Sequence, residues 1–124
     1  MGYTHYWRRN DDFTENEWSE IKKVFNQLHS KWGGLLRGGL GEGEPECTDE
    51  VIRFNGDSTI GHDHGTFSLS KEHQDFNFCK TAGKPYDIVV VTFLASVDSI
   101  ISDRKRFRIS SDGGDEVFTH ALDR

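Results

Sequence analysis

The stretch Phe76-Asn-Phe-Cys-Lys-Thr-Ala-Gly-Lys-Pro-Tyr-Asp87 decides how this chain is read. Phe76 and Phe78 alternate with Asn77 and Cys79, which is the period of a strand with one buried face. Pro85 follows closely and suits the first turn of a helix, where its missing N–H costs nothing. Lys80, Thr81 and Lys84 therefore fall where a strand gives way to a helix. The unpaired N–H groups of a helix start favour a bound anion.

On the C-terminal side, residues 85–101 are apolar nearly all round. The β-branched run Ile88-Val-Val-Val91 suits a strand, but Pro85 and the extension through Phe93, Leu94, Val97 and Ile100 predict a buried helix. Arg106 to Ser110 alternates charge with Phe107 and Ile109 and predicts a strand, followed by a turn at residues 111–115 and a short helix from Glu116 to Leu122.

On the N-terminal side, Val51 to Asn55 and Thr66 to Ser70 read as strands, with Phe76 to Lys80 a further strand or a continuation after a bulge around residues 72–75. Residues 33–49 carry six glycines and read as a loop or lid. They contain no phosphate-loop pattern of the G-x-x-x-x-G-K-[ST] type. Thr14 and Glu17 form a capping box. Trp18, Ile21, Phe25, Leu28 and Trp32 recur at spacings of three and four, so a helix is predicted over 15–32, with Gly33 and Gly34 offering a left-handed stop. Tyr3 to Arg8 reads as a first strand.

This order predicts an α+β fold in a single domain spanning residues 1–124. The expected architecture is an antiparallel sheet of four to five strands with two main helices on one face, the ferredoxin-like or split β-α-β arrangement. The first strand and the strand before the second helix are expected to run parallel. Their ends would then gather Arg8, Arg9, Lys80, Thr81 and Lys84, joined by Lys105 and Arg106 from the last strand.

The formal charge of −6 argues against stable association with nucleic acid or an anionic membrane surface. It leaves room for a local basic pocket, or for a partner with a basic surface. The longest apolar run, Ile88 to Leu94, is too short to span a bilayer. Cys47 and Cys79 fit no metal-ligand spacing, so a reduced, cytoplasmic chain is expected.

Several segments resemble a family of short, mostly uncharacterised proteins from bacteriophages and prophage-bearing bacteria. They are GYTHYW at the N-terminus, FNFCKT followed after two residues by KPYD, the late ISSDG, and RFNG at 53–56. The resemblance implies a phage-related protein of the host cytoplasm with an accessory role against host defence. It supplies no settled activity.

The leading expectation is therefore a small-molecule binder without chemical turnover. It would take a nucleotide-like or phosphorylated ligand, in a phage setting as a sponge for a cyclic or ADP-ribose-derived immune signal. Arg8, Arg9, Lys80, Thr81 and Lys84 would hold phosphate, and Tyr6, Trp7 or Tyr86 would stack a ring. A homodimer would suit such a pocket. A second expectation is a small hydrolase of nucleotides or sugar phosphates with Cys79 as nucleophile and His5 as base. A third is an acidic inhibitor of a host nuclease or defence protein.

His62 and His64, with Asp57, Cys47 or His73, lack a diagnostic zinc spacing, so no metal or cofactor is expected. The runs Ser110-Ser-Asp-Gly113 and Asn55-Gly-Asp57 could bind a sugar, and are also what tight turns are made of. The expected topology puts them at the edge opposite the basic groups.

Overall fold

The structure, a computed structural model, describes residues 3–73, 76–114 and 116–118. Its elements are β1 (Thr4–Arg9), α1 (Glu15–Trp32), a 3₁₀ turn (Gly33–Leu35), β2 (Glu46–Cys47), β3 (Val51–Phe54), a second 3₁₀ turn (Ser58–Ile60), β4 (Phe67–Ser70), β5 (Phe76–Lys80), α2 (Asp87–Ile101) and β6 (Phe107–Ser111). Glu116, Val117 and Phe118 are helical. The rest of the expected terminal helix, and the centre of the expected bulge at Gln74 and Asp75, lie outside the described residues.

The fold is α+β, with its strands divided between two antiparallel three-stranded sheets, β5-β1-β6 and β2-β3-β4. In place of the single larger sheet that was expected, β3 is flanked on both sides within a sheet of its own, with β4 on one side. Its second neighbour is β2, which comes from the glycine-rich segment expected to be loop. The split β-α-β unit exists, but it is built from β5, α2 and β6. These two strands run parallel to each other, with β1 antiparallel between them. The expected parallel relation of β1 and β5 is therefore corrected: Thr4 pairs with Lys80 and Arg8 with Phe76. The crossover that parallel strands require is α2, and it joins β5 to β6.

The capping box forms as expected. The Glu17 amide donates to Thr14 Oγ1 at 3.1 Å, and the Thr14 amide donates to Glu17 Oε1 at 2.9 Å. Trp18, Ile21, Phe25 and Leu28 are the buried stripe of α1. The helix does not stop on a left-handed glycine. Gly33 is right-handed with φ −57°, and the 3₁₀ turn carries on until the Leu36 amide donates to the Gly33 carbonyl at 3.1 Å. Leu36 is buried, so the core draws the chain inward at this point.

The core is a chain of aromatic contacts running through both sheets and both helices. Trp7 on β1 meets Phe67 on β4 with ring centroids 5.0 Å apart, and Phe67 meets Phe54 at 4.8 Å and Phe93 of α2 at 5.6 Å. Phe25 of α1 completes the group, 5.6 Å from Phe54 and 5.9 Å from Phe93. Along β1, His5, Trp7 and Arg9 face this core, while Tyr6 and Arg8 face the open side of the sheet. Arg9 ties the sheets together by donating to the carbonyls of Ser70 and Lys71 while its guanidinium covers the Phe13 ring at 3.9 Å.

Candidate functional site

The antiparallel pairing of β1 and β5 disperses the residues expected to hold phosphate. Arg8 and Arg9 lie at one end of the sheet, whereas Lys80, Thr81 and Lys84 lie at the other. Four residues of strand separate the Arg8 level from the Lys80 level, about 13 Å. Trp7, Arg9, Thr81 and Tyr86 are at most 2% exposed and cannot touch a ligand from solvent. Burial lowers the Arg9 guanidinium to about 10, which leaves it charged at neutral pH. Arg106, expected beside these cations, is held by Glu17 at 2.6 and 2.8 Å and by Asp11 at 3.0 Å.

The start of α2 is filled by the chain's own anion. Asp87 opens the helix, where the N-terminal dipole favours negative charge. The Thr81 hydroxyl donates to Asp87 Oδ1, and His5 Nε2 lies 2.7 Å from the same oxygen. His5 Nδ1 is 2.8 Å from Ser111 Oγ. Ser111 thus belongs to the same end of the sheet as Thr81, which corrects the expectation that the Ser110–Gly113 run lies on the opposite edge. Asp112 follows it, its amide donating to the Thr4 carbonyl at 3.0 Å and its carboxylate accepting from the Tyr6 hydroxyl at 3.2 Å.

A concavity of about 570 Å³ opens beside β5, lined by Asp63, His64, Gly65, Thr66, Phe78, Cys79 and Lys80. Phe78 is 52% exposed, while its neighbour Cys79 is buried. The sequence period marked alternate residues of β5 correctly, but the face carrying Phe78 turns outward. The reason is register: Cys79 sits opposite the buried His5, and Phe78 opposite Tyr6 on the open face. Lys80 Nζ stands 5.9 Å from the centre of the Phe78 ring.

The far wall of the concavity is a segment laid along β5. The Gly65 amide donates to the Lys80 carbonyl at 2.7 Å, and His64 Nδ1 donates to the same oxygen at 2.8 Å. Gly65 is required there, because a Cβ would fall 2.6 Å from that carbonyl oxygen. The Asn55 side chain positions the segment, accepting from the His64 amide at 3.0 Å and donating to the His64 carbonyl at 3.0 Å. Asn55 is therefore a buried clamp, and Asp57 caps the second 3₁₀ turn and pairs with Arg37 at 3.1 Å. Sequence reasoning missed Phe78, Asp63 and His64 as a group, because only the fold brings residues 63–66 against β5.

Cys79 does not match the chemistry of a nucleophile. Burial pushes its thiol up to about 12, and both nitrogens of His5 are turned to other partners. Tyr86 is also pushed up by burial, and its hydroxyl donates to the Gly65 carbonyl. Among the described residues, no group of three or more His, Cys, Asp or Glu side chains gathers to hold a metal. No helix of the described residues is long and apolar enough to cross a membrane.

A larger groove of about 880 Å³ runs between the start of α1 and the second sheet. Asp12, Glu15, Asp49, Glu50 and Glu72 line it. Of its cations, Lys71 pairs with Glu15, and Arg53 pairs with Glu46 at 3.2 Å. Its lining is mainly acidic, a poor match for an anionic ligand. In comparisons with known proteins, no family model, no curated protein and no solved structure matches the chain.

Proposed function

We propose that this protein binds a nucleotide-like, phosphorylated small molecule at the concavity beside β5. The observation that carries this reading is the presence of Phe78 and Lys80 on one concave surface with His64 and Asp63. A half-exposed aromatic ring offers a stacking face. An adjacent ammonium offers a charge-assisted contact to phosphate. The Asp63 carboxylate would accept from sugar hydroxyls. Arg8 and Arg108 extend the positive field along the open face. They stand directly opposite one another on β1 and β6, and both are exposed.

The binding is capture without turnover. In the phage setting that the sequence resemblance implies, the ligand would be a signalling nucleotide of the host. The test is thermal unfolding with a panel of linear, cyclic and ADP-ribose-type nucleotides. A ligand at 100 times its Kd adds about 2.7 kcal/mol, so a binder raises the melting temperature by several degrees and is recovered intact by mass spectrometry. No shift with any nucleotide refutes the reading.

A further inference from the structure

His5 joins a hydroxyl on one side to a carboxylate on the other, wholly buried from water. Asp87 Oδ1 accepts from the Thr81 hydroxyl, and it stands 2.7 Å from His5 Nε2. A carboxylate only accepts, so the imidazole proton resides on Nε2. Nδ1 then presents its lone pair, and the Ser111 hydroxyl, 2.8 Å away, donates to it. The Gly113 amide donates to Ser111 Oγ at 3.1 Å. A hydroxyl oxygen has two lone pairs, and one remains for an electrophile.

From this geometry we infer that Ser111 is an activated nucleophile, with His5 as its base and Asp87 as the positioning residue, acting on an ester-type acyl or phosphoryl group. A nucleophile within hydrogen-bond reach of a base, itself oriented by a third group, is the arrangement such chemistry requires. Access differs in the right sense, since Ser111 is partly exposed while His5 is not. Ser111 ends β6, an edge strand on the far side of β1 from β5. The site is thus separate from the concavity and independent of the ligand reading above.

The step is a substitution. Ser111 Oγ forms a bond to the acyl carbon or phosphorus, its proton passes to His5 Nδ1, and the bond from that carbon or phosphorus to the ester oxygen breaks, releasing the alcohol oxygen as leaving group. The resulting imidazolium is held by Asp87 and returns the proton to the leaving group. Water then cleaves the Ser111 ester by the reverse sequence.

The test is incubation of the full chain with a fluorophosphonate, which loses fluoride as the Ser111 oxygen–phosphorus bond forms. Intact mass and peptide mapping should show one adduct, on Ser111. Ser111→Ala should abolish it, and Asp87→Asn should slow it at least about 100-fold. Folding of each variant is checked by thermal melting. If Asp87→Asn does not fold, the wild-type and Ser111→Ala results decide. No adduct on the folded wild type overturns the inference, as does a Ser111 adduct formed at an unchanged rate in folded Asp87→Asn.

Discussion

The imidazole Nε2 of His5 stands 2.7 Å from Oδ1 of Asp87, across 82 residues of sequence. This contact fastens the central strand of the first sheet to the opening turn of α2. It also explains why the start of that helix is no site for an external phosphate: the chain's own carboxylate occupies the position, held by Thr81 and His5.

Asp87→Ala removes the partner of a fully buried imidazole and of a buried hydroxyl. Leaving such groups unsatisfied costs about 1–3 kcal/mol. Urea unfolding should show that loss, with an unchanged dependence on denaturant concentration.

Acid sensitivity should centre on Glu17. Its paired hydrogen bonds from Arg106, with a lesser contribution from the Thr14 amide, hold its carboxyl down to about 2 against an ordinary 4.5. A depressed carboxyl stabilises the fold fully above its unfolded value. That contribution fades as pH falls from about 4.5 towards about 2. In Arg106→Ala the fall in melting temperature across this window should be shallower than in the wild type. A parallel curve would show that Glu17 is not the group responsible.

The two thiols should differ in reactivity. Cys79 is 1% exposed and pushed up to about 12 by burial, whereas Cys47 is partly exposed. An aromatic disulfide reagent should modify one thiol in the native protein and two in denaturant. Rapid native modification of Cys79 would contradict its placement beside His5.

Phe78 and Lys80 are exposed, so Phe78→Ala and Lys80→Glu should leave stability within about 0.5 kcal/mol. Each should nonetheless weaken nucleotide binding, Lys80→Glu by 10-fold or more, since a charge-assisted contact is worth about 1.5–3 kcal/mol. Isothermal titration on the folded variants measures this directly. Unchanged affinity in both would remove the concavity from consideration.

Much of the local structure was legible in the residues. The Thr14–Glu17 capping box and the three-and-four spacing from Trp18 to Trp32 set α1 at Glu15–Trp32 as expected. Pro85 and the apolar run placed α2 within two residues of its Asp87–Ile101 bounds. Strand period is likewise local, and it found β1, β3, β4, β5 and β6. It missed β2, whose two residues are too short to show a period. Period also says which residues share a face but not which way the face turns. Alternation left open which face of β5 turns inward, and Phe78 lies outside because its orientation depends on the partner strand.

The candidate site was legible only in fragments. Lys80 stood out beside a helix start, and His5 stood out as a possible base. Ser111 lies 106 residues from His5 in sequence, and no spacing rule connects them. Segment 63–66 is held against β5 by Asn55, His64 and Tyr86, and by a glycine that permits backbone contact.

Capping, apolar period and backbone restriction act between near neighbours, so the residue order alone settled the helices, most of the strands and the α+β class. Strand direction, the division into two sheets and the company each polar side chain keeps arise from how the segments close upon one another. Those outcomes depend on hydrogen bonds and packing between distant residues, and they decided that Asp87 faces His5 while Lys80 lines a concavity with Phe78.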